Sequence, residues 1–140
     1  MPYYKPLIHI LLLAICISSC SAQSRLESGE REVLVSETLE YYLYFPPDYE
    51  KSSEAKFPLL LFLHGGGESG GALDALQKNG PPKLLAEGKD FPFLILAPQN
   101  PHNQKWWNVR AVMKLLEGVV EENRVDPDRL YLTGLSRGGN

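Results

Sequence analysis

Cysteine and histidine are scarce in this chain, and their positions exclude several kinds of site. The only two cysteines among 140 residues, Cys16 and Cys20, both precede the region that carries strand and helix signals. A disulfide framework or a cysteine-based metal site in the folded part is therefore excluded. Beyond the first 22 residues the only histidines are His64 and His102, which are too few for a metal cluster.

The chain also lacks a surplus of charge of either sign. It has 14 basic and 17 acidic residues, hence a formal net charge of −3, and no clustered basic run. Nucleic-acid binding is therefore not indicated, and the acidity is too mild to define a partner. Hydrophobic residues make up 44% of the sequence, which fits one globular domain rather than a disordered chain. We find no internal repeat and no low-complexity segment.

No apolar run is long enough to cross a bilayer, which takes about 20 residues. The apolar core at residues 7–17 follows Lys5 and is itself followed by small residues. This order is typical of a secretory signal, so residues 1–22 are predicted to direct export to the periplasm or outer cell envelope. Residues 23–30 are small and polar and are predicted to be a linker, which leaves residues 31–140 for the fold.

The end of this signal allows two kinds of processing. Residues 17–20, Ile-Ser-Ser-Cys, resemble a bacterial lipobox, which favours lipidation of Cys20 and a tether to the membrane through that lipid. The alternative is ordinary cleavage after Ala22, with an unmodified start at Gln23. Either outcome exports the protein.

Five segments predict strands. In residues 40–45, Tyr41, Leu43 and Phe45 alternate with Tyr42 and Tyr44, as expected of a half-buried strand. This strand is expected to pair with residues 33–35. Residues 59–63 and 93–97 are apolar throughout, as required of strands buried on both faces of a parallel sheet. A weaker strand signal covers residues 129–133, after a turn predicted at Asp126-Pro127-Asp128.

Two segments predict helices between these strands. Residues 83–87 lie between Pro81-Pro82 and Gly88, the usual punctuation of a short helix. In residues 111–123 the apolar side chains are spaced so that they lie on one face of a helix. They are Val112, Leu115, Leu116, Val119 and Val120. Strands that alternate with helices predict an α/β fold with a mainly parallel sheet and antiparallel N-terminal strands.

A G-x-S-x-G pattern, Gly134-Leu135-Ser136-Arg137-Gly138, directly follows the last strand signal. In a nucleophile elbow of this form the serine sits on a strained turn between a strand and a helix, and glycines flank it where side chains would clash. The sequence therefore predicts Ser136 to be a catalytic nucleophile.

A glycine turn at residues 64–67, His-Gly-Gly-Gly, follows the buried strand at residues 59–63. Backbone N–H groups in such a turn can approach an oxyanion closely, as acyl transfer to a serine requires. We assign one oxyanion donor to Gly66, with Gly67 as its rival, and the second to the Arg137 N–H. The alternative is a turn in which glycine is needed only for its backbone angles.

Other interpretations of these residues are less well supported. Gly65-x-Gly67-x-x-Gly70 also matches a dinucleotide-binding fingerprint, but no sustained helix follows it and the next strand does not end in an acidic residue. His64 is expected to pack or hydrogen-bond beside the turn rather than act as base. Trp106-Trp107 either line a substrate pocket or anchor their loop to the core.

Taken together, the motifs resemble those of the α/β-hydrolases, in particular bacterial phospholipase/carboxylesterase-like and polyhydroxybutyrate-depolymerase-like esterases. The resemblance spans residues 31–140 and rests on five segments: residues 64–67, 80–84, 97–99, 106–107 and 125–129. It implies a Ser-Asp-His triad that hydrolyses a carboxylic ester of small-molecule or polymeric substrates, without a metal or organic cofactor.

The chain departs from the family because no Asp or His follows Ser136. Family order is Ser, then Asp or Glu, then His, so both partners are expected beyond Asn140, and the chain is expected to be the N-terminal part of a hydrolase. The alternative is a truncated, non-catalytic product, exported or lipid-anchored, that acts as a binding module.

Overall fold

The computed structural model describes residues 37–51, 53–103 and 105–140. All of them lie in one compact unit, Val35–Asn140. The export signal with Cys20, the linker and the strand expected at residues 33–35 lie outside the described residues. Within the described ranges, no helix has the length and apolar character needed to span a membrane.

The described residues form a sheet of four strands, namely β1 (Tyr41–Tyr44), β2 (Phe57–Leu63), β3 (Leu94–Pro98) and β4 (Val125–Gly134). Their order in the sheet is β1-β3-β2-β4. Strand β2 is parallel to both β3 and β4, whereas β1 runs antiparallel to β3. This mixed sheet with its helices confirms the prediction of an α/β fold.

The two central strands, β2 and β3, carry the core. All five residues of β3 are buried, and Leu59 of β2 lies opposite Leu94 of β3 with neither side chain exposed. One face of these strands packs with Val112 and Val119, and the other packs with Leu76. Each fully buried aliphatic side chain of this kind contributes about 1.5–3 kcal/mol, so burial on both faces explains the continuous apolar runs.

Two α-helices cover the sheet where helices were predicted. Helix α1 (Gly80–Ala86) has proline in its first turn. Helix α2 (Val109–Glu122) begins after Asn108, whose side-chain Oδ1 accepts a 3.3 Å hydrogen bond from the Ala111 N–H. Such a cap satisfies one of the donors that a helix leaves free at its start. The short segments Tyr49–Lys51, Leu73–Lys78 and Ser136–Gly138 are 3₁₀ turns.

The turn expected before β4 is built into the strand itself. Val125 pairs with Phe57 and Leu130 pairs with Leu59, so residues 126–129 bulge out opposite the single residue Pro58. Proline has no N–H to donate to the ladder, and bulges are where strands accommodate it. Within the bulge the Asp126 carboxylate accepts hydrogen bonds from Asp128 N–H at 3.0 Å and from the Arg129 Nε–H at 2.6 Å.

Candidate active site

Ser136 lies just beyond the end of β4 in an unusual backbone conformation. Its φ angle is +52°, and no other described residue except glycine has a positive φ. This left-handed region costs about 1–2 kcal/mol for a residue that carries a Cβ, and such strain persists only where the surrounding structure enforces it. Ser136 therefore has the backbone conformation that a nucleophile elbow requires.

The glycines on either side of Ser136 are required by close backbone contacts. A Cβ added to Gly134 would lie 2.0 Å from the Gly138 carbonyl oxygen, and one added to Gly138 would lie 2.0 Å from the Leu63 oxygen. The turn closes with a 2.9 Å hydrogen bond from the Gly139 N–H to the Ser136 oxygen. No residue with a side chain fits at either position without moving the backbone.

The glycine turn at residues 64–67 lies beside the serine. Strands β2 and β4 are parallel neighbours, so their carboxyl ends meet at the same edge of the sheet. The Leu135 N–H donates to the Leu63 oxygen at 3.0 Å, and a Cβ at Gly65 would lie 3.5 Å from the Ser136 Cβ. Two motifs that are about 70 residues apart in sequence thus form one site at the position where α/β sheets bind ligands.

Two backbone donors in this turn are free. Within the described part of the chain, neither the Gly66 nor the Gly67 N–H donates to a protein acceptor. The Arg137 guanidinium packs against Gly66, where a Cβ would lie 2.8 Å from its central carbon, while the space around Gly67 is open. Free N–H groups are what an oxyanion site needs, because each must be available when the tetrahedral oxygen forms.

His64 is held by hydrogen bonds to backbone groups. Its ring is 1% exposed, its Nε2 accepts the Asn100 N–H at 3.0 Å, and its Nδ1 lies 2.7 Å from the Gly65 oxygen. Because Nε2 acts as the acceptor, the hydrogen-bond network assigns the proton to Nδ1. Both nitrogens are occupied, so His64 stabilises the turn and has no free lone pair for Ser136.

Glu68 and Gln99 also hold the turn, and sequence reasoning gave neither of them a role. Glu68 is 4% exposed; its carboxylate accepts from Asn79 and lies 3.9 Å from the His64 Nδ1. Gln99 Nε2 donates to the backbone carbonyl oxygen of Glu68 at 3.0 Å. It also lies within hydrogen-bond distance of the backbone carbonyl oxygens of Gly71 and Ala72. The sequence signal that could have pointed to Gln99 is its position directly after β3, next to the switch in strand order, where α/β sheets bind ligands.

The two tryptophans differ in their contacts and exposure. Trp107 donates from Nε1 to the His64 oxygen at 3.3 Å, and its ring lies 4.7 Å from the His64 ring, so it anchors the loop. Trp106 is 64% exposed and has the Arg137 guanidinium 5.8 Å above its ring. Trp107 also lines a cavity of about 410 Å³ next to Gly134 and Gly138. Trp106 therefore lies at the surface, and Trp107 lies at the wall of this cavity.

Both histidines among the described residues have hydrogen-bond partners other than Ser136. His102 bonds the Glu37 carboxylate at 2.8 Å, and His64 is engaged as above. No side chain in residues 37–51, 53–103 and 105–140 hydrogen-bonds to the Ser136 hydroxyl. The same ranges contain no group of three His, Cys, Asp or Glu side chains placed to hold a metal ion.

Two solved structures resemble this chain in fold. One is a thermostable esterase, 29% identical with a TM-score of 0.56, matched over 71% of this chain and 31% of its own length. The other is a ferulic acid esterase, 21% identical with a TM-score of 0.50, matched over 71% of this chain and 45% of its own. This chain therefore spans less than half the length of either structure. No protein-family model matches the chain, and no curated protein matches its sequence.

Proposed function

We propose that Ser136 is the nucleophile of an α/β-hydrolase that cleaves carboxylic esters through an acyl-enzyme. The observation that carries the proposal is the φ of +52° at Ser136, enforced between two glycines that tolerate no side chain. Strain of this kind in a non-glycine residue is typical of functional sites. The likeness to a thermostable esterase supports an ester as the substrate.

In this reaction the Ser136 Oγ attacks the ester carbonyl carbon while a base takes its proton. The carbonyl oxygen becomes an oxyanion that accepts hydrogen bonds from the Arg137 N–H and from the Gly66 or Gly67 N–H. The C–O bond to the alcohol then breaks, and the base returns its proton to the leaving oxygen. Water repeats these steps on the acyl-enzyme and releases the acid.

The base and its acidic partner come from outside the described residues, since His64 and His102 are both engaged elsewhere. The chain order of α/β-hydrolases, Ser then Asp or Glu then His, assigns both to sequence after Asn140. The reading frame that follows the Asn140 codon tests this assignment. An open frame that encodes a later Asp and His supports the enzyme.

A competing proposal is a non-catalytic module that binds an ester or acyl ligand beside Ser136. A serine hydroxyl without a base is a weak nucleophile, so such a module has the site but not the chemistry. A stop codon directly after Asn140 would support it.

Activity of the Ser136→Ala variant tests the nucleophile. The protein is expressed with its whole reading frame, and hydrolysis of p-nitrophenyl acetate is measured. We expect Ser136→Ala to lower kcat/KM by about three orders of magnitude or more, since only binding and oxyanion effects remain. Ser53→Ala, in an exposed loop, is the control and should keep the full rate. Near-normal hydrolysis by Ser136→Ala would exclude the assignment.

We also propose export with lipidation at Cys20, on the basis of the signal and lipobox patterns. The lipid would hold the protein on the membrane of the cell envelope, with the linker at residues 23–30 between the anchor and the fold. Mass spectrometry of the mature N-terminus decides between the two kinds of processing. A mature chain that begins with unmodified Gln23 would exclude the anchor.

A further inference from the structure

The side chain of Arg137 lies beside the nucleophile but plays no part in the reaction described above. Its Cα follows that of Ser136, about 3.8 Å away. The guanidinium lies 5.8 Å from the centre of the Trp106 ring, and its Nη1 donates to the Lys105 oxygen over a long 3.4 Å. The aromatic ring and one carbonyl therefore position the charge next to the site.

Gly66 leaves the space that this guanidinium occupies. A Cβ at Gly66 would lie 2.8 Å from the guanidinium carbon and 3.0 Å from Nη2. The same turn approaches the serine, because a Cβ on the preceding Gly65 would lie 3.5 Å from the Ser136 Cβ. The positive charge and the nucleophile thus lie against adjacent residues of one turn.

Most of the hydrogen-bonding capacity of Arg137 is unused. A guanidinium has five N–H donors and always carries its charge. In the ranges 37–51, 53–103 and 105–140, no carboxylate forms an ion pair with Arg137, although Lys51, Lys83, Lys114 and Arg129 each have one. A half-buried guanidinium without an acidic partner is suited to a planar anion, which it can bind through two parallel hydrogen bonds.

We propose that Arg137 is a specificity-determining residue that binds a carboxylate of the substrate. The substrate class is then an ester that carries a free carboxylate close to the scissile carbonyl, such as the monoester of a short dicarboxylic acid. Trp106 forms the wall on which the guanidinium and the substrate chain rest. Cleavage of such an ester rests on the function proposed above, whereas binding of the carboxylate does not.

A kinetic comparison tests the specificity in the protein expressed with its whole reading frame. Methyl hydrogen glutarate is compared with methyl glutaramate, in which a neutral amide replaces the carboxylate. The wild-type protein is expected to prefer the carboxylate, and Arg137→Gln should lower the ratio of the two kcat/KM values about ten- to a hundredfold. Arg137→Lys keeps the positive charge but lacks the planar guanidinium that can bind a carboxylate through two hydrogen bonds. It should therefore give an intermediate ratio of the two kcat/KM values. Arg110→Gln, exposed on α2, should leave both rates unchanged.

A binding measurement separates this proposal from the esterase itself. Titration calorimetry at low salt compares glutarate with glutaramide on the wild-type and Arg137→Gln proteins. Glutarate should bind the wild type at least about tenfold more tightly than the variant, and glutaramide should not distinguish them. Equal glutarate binding to both proteins overturns the proposal, whatever the hydrolysis assay gives. Glutarate binding that depends on Arg137, without hydrolysis of any ester, would support the carboxylate site and exclude the proposed esterase activity.

Discussion

At the scale of single residues, Ser136 combines a strained backbone with the hydroxyl side chain on which the proposed reaction depends. Its φ of +52° suits glycine better than any residue with a Cβ. Natural proteins retain such strain where function requires it. The backbone strain at this position can therefore be measured separately from the catalytic role proposed for its hydroxyl.

Replacing Ser136 with glycine or with alanine should reveal this strain. Both variants lose the hydroxyl, but only alanine keeps the Cβ, so Ser136→Gly should be more stable than Ser136→Ala by about 1 kcal/mol. Urea unfolding followed by circular dichroism gives the difference in unfolding free energy. The matched pair Ser53→Gly and Ser53→Ala, where φ is not positive, should show alanine to be at least as stable. An alanine variant at position 136 as stable as the glycine variant would show that the turn is not strained.

Gly138 is the residue at which an added methyl group should lower the stability of the fold most. Because its Cβ would lie 2.0 Å from the Leu63 oxygen, Gly138→Ala forces β2 away from the elbow and should destabilise the fold by about 3 kcal/mol or more. Gly118→Ala is the control, since Gly118 lies within α2 and has open space around it. That variant should be more stable than the wild type by about 0.5–1 kcal/mol. Urea unfolding midpoints compare the two variants. An unchanged midpoint for Gly138→Ala would contradict the close backbone contact at this turn.

At the scale of elements, β2 and β3 were predictable because both of their faces are covered, which requires a continuous apolar run. Helix α2 was predictable for the related reason that only one face is covered. The bulge in β4 was not, because it depends on Pro58 in another strand. The contacts of Glu68 and Gln99 were hidden for the same reason, since the two residues are 31 positions apart.

The serine and the glycine turn were found in sequence because each is a short local pattern. Their meeting at one edge of the sheet follows from the parallel pairing of β2 and β4. The positions of His64, Trp107 and Arg137 around that edge depend on side-chain packing, which no local pattern encodes. Sequence reasoning could therefore predict that these two motifs meet at one edge of the sheet, but not how the Arg137 side chain lies beside them.

Strand β4 presents apolar side chains at an edge of the sheet. Tyr131 is 57% exposed and Leu132 is 67% exposed, and in the described residues no strand pairs with the outer side of β4. Leu132 also lines a cavity of about 410 Å³, together with Met113 of α2. An unpaired apolar edge is a surface through which chains associate.

Leu132→Lys should therefore reduce self-association of the 140-residue chain. A lysine on an edge strand opposes pairing with another strand because its charge cannot be buried there. Sedimentation velocity over a range of concentrations measures the effect, and the variant should remain monomeric at concentrations where the parent chain forms larger species. Val109→Lys is a control with the same 67% exposure but on a helix, and it should change association much less. Equal effects of both substitutions would assign the association to general hydrophobicity rather than to the strand edge.

At the scale of the whole molecule, the described residues contain Ser136 and the free N–H donors, but no described side chain hydrogen-bonds to the Ser136 hydroxyl. Residues 23–140 should therefore be catalytically silent towards p-nitrophenyl acetate, because the Ser136 hydroxyl keeps its proton. They should also be only marginally stable, since β4 has an unpaired edge and exposed leucines at positions 130, 132 and 135. The measurement is ester hydrolysis by residues 23–140, with Ser136→Ala as the blank, alongside thermal unfolding followed by circular dichroism. A soluble monomer with a cooperative transition and turnover that disappears in Ser136→Ala would show that residues 23–140 supply a base, and would contradict the expectation that the base lies outside them.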